Sequence, residues 1–317
     1  MDATEQPLEP QSDESMPPAG SILLFNVHRI TYDSLKMVTE PGSLLGLAAF
    51  LEQHGWKTQV FQGEPSRARN FLSAEMDKNP VLAVGFYCDF ENPVEVRQMS
   101  RWATEEFGLP VVLGGPQVGG FDADFLRESG CLAAVLGEGE IPLLRLLGCL
   151  FRTGAPWKGI EGLVYRDETG QLVRNPPGAL LSNLDELPLP AIHRWVNKPF
   201  RTKAHILTGR GCPFNCAFCH EGSLSRPVRL RGVPHVLAEL DALLAKEPDL
   251  KYIAFADDTF ITSPRRVREF CRGIAERRQT RNFVWYCEGH VKYLSRWPEI
   301  LPDMVEAGMV RLQTGIE

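Results

Sequence analysis

Short apolar runs alternate with helix-patterned stretches along most of this chain, and the alternation runs twice. In residues 21–155 the apolar runs are 22–27, 58–61, 81–86, 110–113 and 132–136, all of strand length. Between them Leu44, Leu47, Ala48 and Leu51 recur at i, i+3, i+4 and i+7, which stacks them on one helix face. Residues 66–77, 94–107, 121–129 and 141–151 carry further helical patterns. A strand that returns through a helix lies parallel to its predecessor, so five such strands predict a doubly wound parallel α/β sheet. Ligands of such sheets sit at the carboxyl ends of the strands.

A connector of different character covers residues 156–203. Residues 160–165 and 171–173 flank Asp167-Glu168-Thr169-Gly170, a β-hairpin pattern, and Leu187-Pro188-Leu189-Pro190 marks an extended linker. A second β/α series occupies residues 204–317, with strands predicted over 205–207, 252–255, 283–287 and 309–314. Its helices are predicted over 233–246, 264–278 and 298–307. A full (β/α)₈ barrel takes about 250 residues. The second series therefore reads as the N-terminal part of a truncated barrel.

Composition narrows the function. Residues 1–20 are acidic, Pro-rich and free of Lys and Arg, which predicts a disordered tail. The net charge of −6 argues against a general nucleic-acid partner, because phosphate backbones call for a basic surface. No apolar run reaches the ~20 residues of a membrane span. A basic n-region followed by an apolar h-region is also missing from the N-terminus, so a cytoplasmic location is expected. In that setting the eight cysteines read as thiols or metal ligands rather than disulfides.

Three of those cysteines form the sharpest motif: Gly209-Arg210-Gly211-Cys212-Pro213-Phe214-Asn215-Cys216-Ala217-Phe218-Cys219. Three thiols on one loop after a strand suit three corners of a 4Fe–4S cube. A structural zinc site favours four ligands, and the only nearby addition is the adjacent His220. A cluster of buried thiols is the third reading. Gly209 and Gly211 give the loop room to curl.

This Cys-x3-Cys-x2-Cys loop, with an aromatic before its third cysteine, resembles the signature of radical S-adenosylmethionine (SAM) enzymes. The resemblance implies that Cys212, Cys216 and Cys219 hold a 4Fe–4S cluster whose open iron chelates SAM. Reductive cleavage of SAM then gives a 5′-deoxyadenosyl radical. Asp257 and Asp258, in Ala256-Asp257-Asp258-Thr259-Phe260 after the second strand, resemble the family's Asp-Asp-x-Phe. They either hold the SAM ammonium or ribose, or help to cap the helix that starts near Thr262, Ser263 and Pro264. Gly315-Ile316-Glu317 resembles the start of Gly-Ile-Glu-Ser, which would put Glu317 near SAM; Phe218 is the aromatic of the cluster loop.

Upstream, Gly114-Gly115-Pro116-Gln117 ends the fourth strand, and Gly137-Glu138-Gly139-Glu140 ends the fifth. Alone, these are ordinary tight turns or close-approach loops for a ligand. Ahead of the cysteine loop they resemble the Gly-Gly-Pro-His and Gly-Glu-Gly-Glu of cobalamin-binding domains in radical SAM enzymes. Residues 41–48 fit that family's first-helix entry. The implied fold is a flavodoxin-like cobalamin-binding domain followed by a partial radical SAM barrel. The implied cofactors are cobalamin, SAM and the cluster. Gln117 replaces the family's His, and the Asp-x-His-x-x-Gly of methionine-synthase-type domains is absent. Only His28 lies near the loop that would supply such a ligand. Base-off cobalamin without a histidine ligand is therefore expected, its cobalt near Tyr87-Cys88-Asp89-Phe90.

The activity implied is cobalamin-dependent methyl transfer to an unactivated carbon or a phosphinate phosphorus of a small-molecule or peptide substrate, fed by a flavodoxin or ferredoxin. Non-methylating radical chemistry, such as oxidative cyclisation or ring contraction, is the enzymatic alternative, and a cobalamin-sensing module the non-enzymatic one. Arg265, Arg266, Arg268, Arg272, Arg277 and Arg278 are expected on a solvated helix face, and Cys271 and Cys287 in the core. Arg226, Arg229 and Arg231 are left between solvation and a contact with SAM or substrate.

Overall fold

A computed structural model describes residues 17–28, 40–217, 219 and 227–315. Phe218, Glu317, Arg226 and residues 1–16 of the expected tail lie outside the described residues.

The first β/α series folds as its pattern predicts. Strands β1 (Ser21–Val27), β2 (Lys57–Gly63), β3 (Val81–Tyr87), β4 (Val111–Gly114) and β5 (Ala133–Val135) are parallel, in the order β2-β1-β3-β4-β5. That is the flavodoxin-like order, with a crevice beside β1 where the winding reverses. Residues of β1 face both layers: Leu23 and Phe25 pack into one apolar core, Ile22 and Leu24 into the other. Helices α1 (Gly42–Gln53), α2 (Pro65–Lys78), α3 (Pro93–Phe107), α4 (Ala123–Ser129) and α5 (Glu140–Gly148) complete the two layers.

Two local expectations change. The helix predicted over 121–129 starts only at Ala123, where the Asp122 carboxylate accepts from the Phe125 amide at 2.7 Å; a short 3₁₀ turn, Pro116–Gly120, precedes it. The hairpin of the connector, β6 (Leu163–Arg166) and β7 (Leu172–Arg174), adds antiparallel to β5 and extends the first sheet to seven strands. The hairpin's turn is built by the Asp167 carboxylate, which accepts from Thr169 and Gln171 amides at 2.9 Å each.

The second series gives four parallel strands in consecutive order: β8 (Lys203–Ile206), β11 (Tyr252–Phe255), β12 (Val284–Glu288) and β13 (Met309–Gln313). Between β8 and β11 lies a two-stranded ribbon, β9 (Gly209–Arg210) with β10 (Arg229–Leu230). Helices α6 (Val233–Lys246) and α7 (Pro264–Arg278) have the predicted bounds. The helix predicted over 298–307 is shorter, α9 (Ile300–Glu306), and a separate turn of helix, α8 (Val291–Arg296), precedes it. An aromatic cluster of Phe255, Phe260, Phe270 and Trp285 fills this core, with Phe255 edge-on to Phe270 at 4.9 Å. Cys271 and Cys287 are buried in it, as expected. Among the described residues no helix is long and apolar enough to cross a membrane.

Candidate active site

The carboxyl ends of both parallel sheets open onto one cavity of about 680 Å³. On the first sheet's side the wall is mostly backbone. Gly85, Gly114 and Gly137 line it, and a Cβ placed on Gly114 or Gly137 would meet nothing within 4 Å. Gly115 is glycine for another reason. Its φ is +106°, and a Cβ there would stand 2.4 Å from the Cys88 carbonyl oxygen. That contact is part of a stitch between neighbouring loops: the Cys88 amide donates to Gly114 at 2.7 Å, and the Gln117 amide donates back to Cys88 at 3.2 Å. Burial pushes the Cys88 thiol up to about 12, so it is an inert core thiol. Apolar side chains from β1, α1 and α5, among them Leu24, Leu47 and Leu143, complete the wall.

Several expected ligand contacts take other roles. Gln117 is not among the residues that line the cavity; its amide lies against Gly120 instead. Glu138 reaches across to the second series. Its carboxylate accepts from Arg229 at 2.6 and 3.0 Å and from the Leu181 amide at 3.2 Å, with Arg210 at 3.4 Å. Burial pushes the Glu138 carboxyl up, but Arg229 and Arg210 outweigh it and hold it below the usual range. Glu140 binds Arg210 at 2.6 Å. The two glutamates of the Gly-Glu-Gly-Glu loop thus tie the first sheet to the ribbon that carries the cysteines, and Arg229 is neither solvated nor free for a substrate carboxylate.

Asp257 is corrected in the same way. It is 4% exposed and does not line the cavity. Its carboxylate accepts from the Thr208 amide at 2.6 Å, the Gly209 amide at 3.1 Å and the Thr208 hydroxyl. Burial raises it to about 6 against those hydrogen bonds and Arg266. Arg266, expected on a solvated face, grips the same segment from its carbonyl side, donating to Thr208 at 3.1 Å and Arg231 at 2.7 Å. Neither aspartate caps α7: Ser263 accepts the Arg266 amide at 3.4 Å. Asp258, by contrast, does line the cavity. Arg231 pairs with Glu239 at 2.5 Å, and burial holds the Glu239 carboxyl up against that pairing.

Sequence patterns single out neither of two histidines at the site. His205 on β8 lines the cavity, and burial, with Lys203 and Arg201, pushes it down to about 4. Its amide donates to Glu40 at 3.1 Å, and Glu40 in turn holds Arg201 at 2.8 Å. His290 lies beyond β12, its Nε2 3.8 Å from Cys216 Sγ and its ring stacked on Phe214. No spacing rule marks either one, because each meets its partners only across the fold.

Cys212 and Cys216 are half-buried and Cys219 is exposed. Burial raises the Cys212 thiol, the Phe214 amide opposes this, and Asp258, Cys219 and Cys216 lie near enough to add to the rise. The three share one loop, yet among the described residues no three His, Cys, Asp or Glu side chains are gathered as a metal-ligand set.

Residues 206–317, which hold this loop and the second sheet, match the model of the Radical SAM superfamily. An uncharacterised methyltransferase of Pyrococcus horikoshii is 34% identical over 217 residues, 65% of this chain and 45% of that protein. The anaerobic magnesium-protoporphyrin IX monomethyl ester cyclase of Rubrivivax gelatinosus is 27% identical over 217 residues, 66% of this chain and 39% of that protein. Among solved structures, the radical SAM methyltransferase TsrM from Kitasatospora setae, with cobalamin and a [4Fe-4S] cluster bound, superposes with a TM-score of 0.75 at 20% identity. The superposition covers 94% of this chain and 61% of that one, so the likeness extends through both sheets.

Residues 206–317 thus resemble the Radical SAM superfamily, and the fold of nearly the whole chain resembles that of a cobalamin-binding radical SAM methyltransferase.

The chain spans less than half the length of the two curated relatives. The solved structure shares the fold, a mixed α/β architecture with parallel sheets.

Proposed function

We propose that this chain comprises the cobalamin-binding domain (residues 21–155), the connector (156–203) and the first part of the radical SAM barrel (204–317) of a methyltransferase. Its acceptor would be an unactivated carbon or a phosphinate phosphorus of a small molecule or peptide. The observation that carries the proposal is the shared cavity, which has glycine-floored strand ends on one wall and the stem of the cysteine loop on the other.

The residues present fit the cofactors. Gly114, Gly115, Pro116, Gly137 and Gly139 form a wall with almost no side chains, against which a broad planar cofactor can lie. Cys212, Cys216 and Cys219 would hold three corners of a 4Fe–4S cluster. Thiolates on one short loop are the donors such a cube takes, and binding would gather them. Asp258 would meet the SAM ammonium or ribose, as it alone of the aspartate pair lines the cavity. When bound, these groups supply a 5′-deoxyadenosyl radical and a transferable methyl group.

The chain's own work is alignment and exclusion. The Glu138–Arg229 and Glu140–Arg210 pairs hold the two walls together. Asp257 and Arg266 fix the strand that leads into the cysteine loop. Enclosure limits the water that reaches a reactive species. With Gln117 turned onto Gly120, this loop offers no histidine, and cobalamin is read as base-off without a protein nitrogen. Electron paramagnetic resonance of the cob(II)alamin-loaded protein tests that point. An axial nitrogen splitting that disappears in His205→Ala or His28→Ala would overturn it.

The activity is tested by anaerobic reconstitution of the intact protein with iron, sulfide and cobalamin, a flavodoxin or ferredoxin as electron donor, and mass spectrometry of SAM products. S-adenosylhomocysteine formed together with 5′-deoxyadenosine supports methyl transfer. 5′-Deoxyadenosine alone favours a non-methylating reaction, the reading that the similarity to the cyclase keeps in view.

A further inference from the structure

The cysteine loop has a neighbour that its motif does not contain. His290 follows β12 and caps α8, and its ring is fixed from two directions. The Lys292 amide donates to Nδ1 at 3.1 Å. The ring face stacks on Phe214, with centroids 3.5 Å apart and planes inclined by 15°. Phe214 is itself backed by Tyr293, whose ring is steeply inclined to it at 5.0 Å. The remaining edge points Nε2 at Cys216 Sγ, 3.8 Å away.

The capping bond sets the chemistry of that edge. A backbone N–H can only donate, so Nδ1 must accept and carries no proton. The ring proton is therefore on Nε2, the atom that faces the sulfur. An iron-bound thiolate accepts such a hydrogen bond, and hydrogen bonds to cluster sulfurs are among the factors that set reduction potential. A donor favours the reduced cluster, because the added electron makes the sulfur more negative.

We propose that His290 is a positioning residue for the cluster: its Nε2–H donates to the Cys216 sulfur and makes the cluster easier to reduce. The inference rests on the reading of Cys216 as a cluster ligand. It places a control of electron entry just past the third strand of the second sheet, about 70 residues beyond the motif.

The test is an EPR-monitored redox titration of the anaerobically reconstituted intact protein, with iron and sulfide analysis. His290→Phe keeps a ring to stack on Phe214 and removes the donor; His290→Gln keeps an N–H. The expected result is full iron in all three proteins and a lower midpoint potential in His290→Phe. The shift corresponds to about a tenfold less favourable reduction, ~59 mV for one electron, and most of it returns in His290→Gln. Iron lost in His290→Phe and regained in His290→Gln also supports the donor. An unchanged potential at full iron in His290→Phe overturns the inference and leaves the cluster assignment standing. Equal shifts or equal iron loss in both variants overturn it too, because the donor would then not be what matters. A parent protein that takes up no cluster overturns the reading beneath it, and the inference with it.

Discussion

Where the first sheet meets the cavity, its strand ends are bare: Gly114 and Gly137 leave open backbone, and the polar groups nearby bond to each other. Where the second sheet meets it, charge is dense, but almost every charge has a partner: Asp257 with Thr208 and Gly209, Arg231 with Glu239, Arg210 with Glu140. The difference teaches what each wall can offer. A wall of glycine offers shape and suits a large cofactor that brings its own polar groups. A wall of paired charges holds a loop rigid, and leaves its thiols to act.

The largest break in this contrast removes the thiols. The Cys212→Ala, Cys216→Ala, Cys219→Ala triple variant is expected to lose all cluster iron and all 5′-deoxyadenosine formation while still taking up cobalamin. Iron analysis and the cobalamin absorption spectrum check this. Cobalamin uptake lost with the iron would mean that the two walls do not work independently.

Next is the clamp between the walls. Glu138→Ala leaves Arg229, 8% exposed, with its main partner gone, a loss of about 3–5 kcal/mol for a buried pair. Calorimetry should show a lower unfolding temperature and a split into two transitions. Arg101→Ala, which breaks an exposed i,i+4 pair with Glu105, is the control, at under ~0.5 kcal/mol. A single unshifted transition in Glu138→Ala would show that the clamp is not what joins the walls.

Asp257 makes a pH-dependent contribution. Burial raises its carboxyl from 3.8 to about 6. A carboxyl with a raised folded pKa binds its proton more tightly when folded. It therefore favours the fold most below its unfolded pKa, and this contribution is lost as pH rises through about 6. The span is worth about 3 kcal/mol. Urea unfolding between pH 4 and 7 should show this decline in the parent, superimposed on other groups, and lack it in Asp257→Asn. Identical slopes would remove Asp257 from the junction.

The smallest effect sharpens the other wall. Gly114→Leu places a side chain in open space, so the fold should hold within ~1 kcal/mol. Cobalamin affinity should still fall about tenfold, or ~1.4 kcal/mol. Equilibrium titration of cobalamin into variant and parent decides it; equal affinities would mean that the cofactor does not rest on β4.

Much of this architecture is legible in the order of the residues. Most strand and helix bounds of both β/α series follow from local periodicity, and α6 and α7 begin and end where Pro, Gly and the apolar stripe predict. The cysteine loop stands out because its three thiols are close in sequence. The amino-acid sequence by itself thus determined two α/β units, their order, and the chemistry of one loop. The tertiary structure alone decided how the carboxylates around the cavity are partnered. Glu138 and Asp257 look like ligand contacts in their motifs, but their partners, Arg229 and Thr208, lie 91 and 49 residues away. It also joined the hairpin to the first sheet and brought His205 to the cavity and His290 to Cys216. The physical reason is range. Periodicity and turn chemistry act over a few residues and can be read in order, whereas a buried charge takes whichever partner the packed chain brings within hydrogen-bond distance.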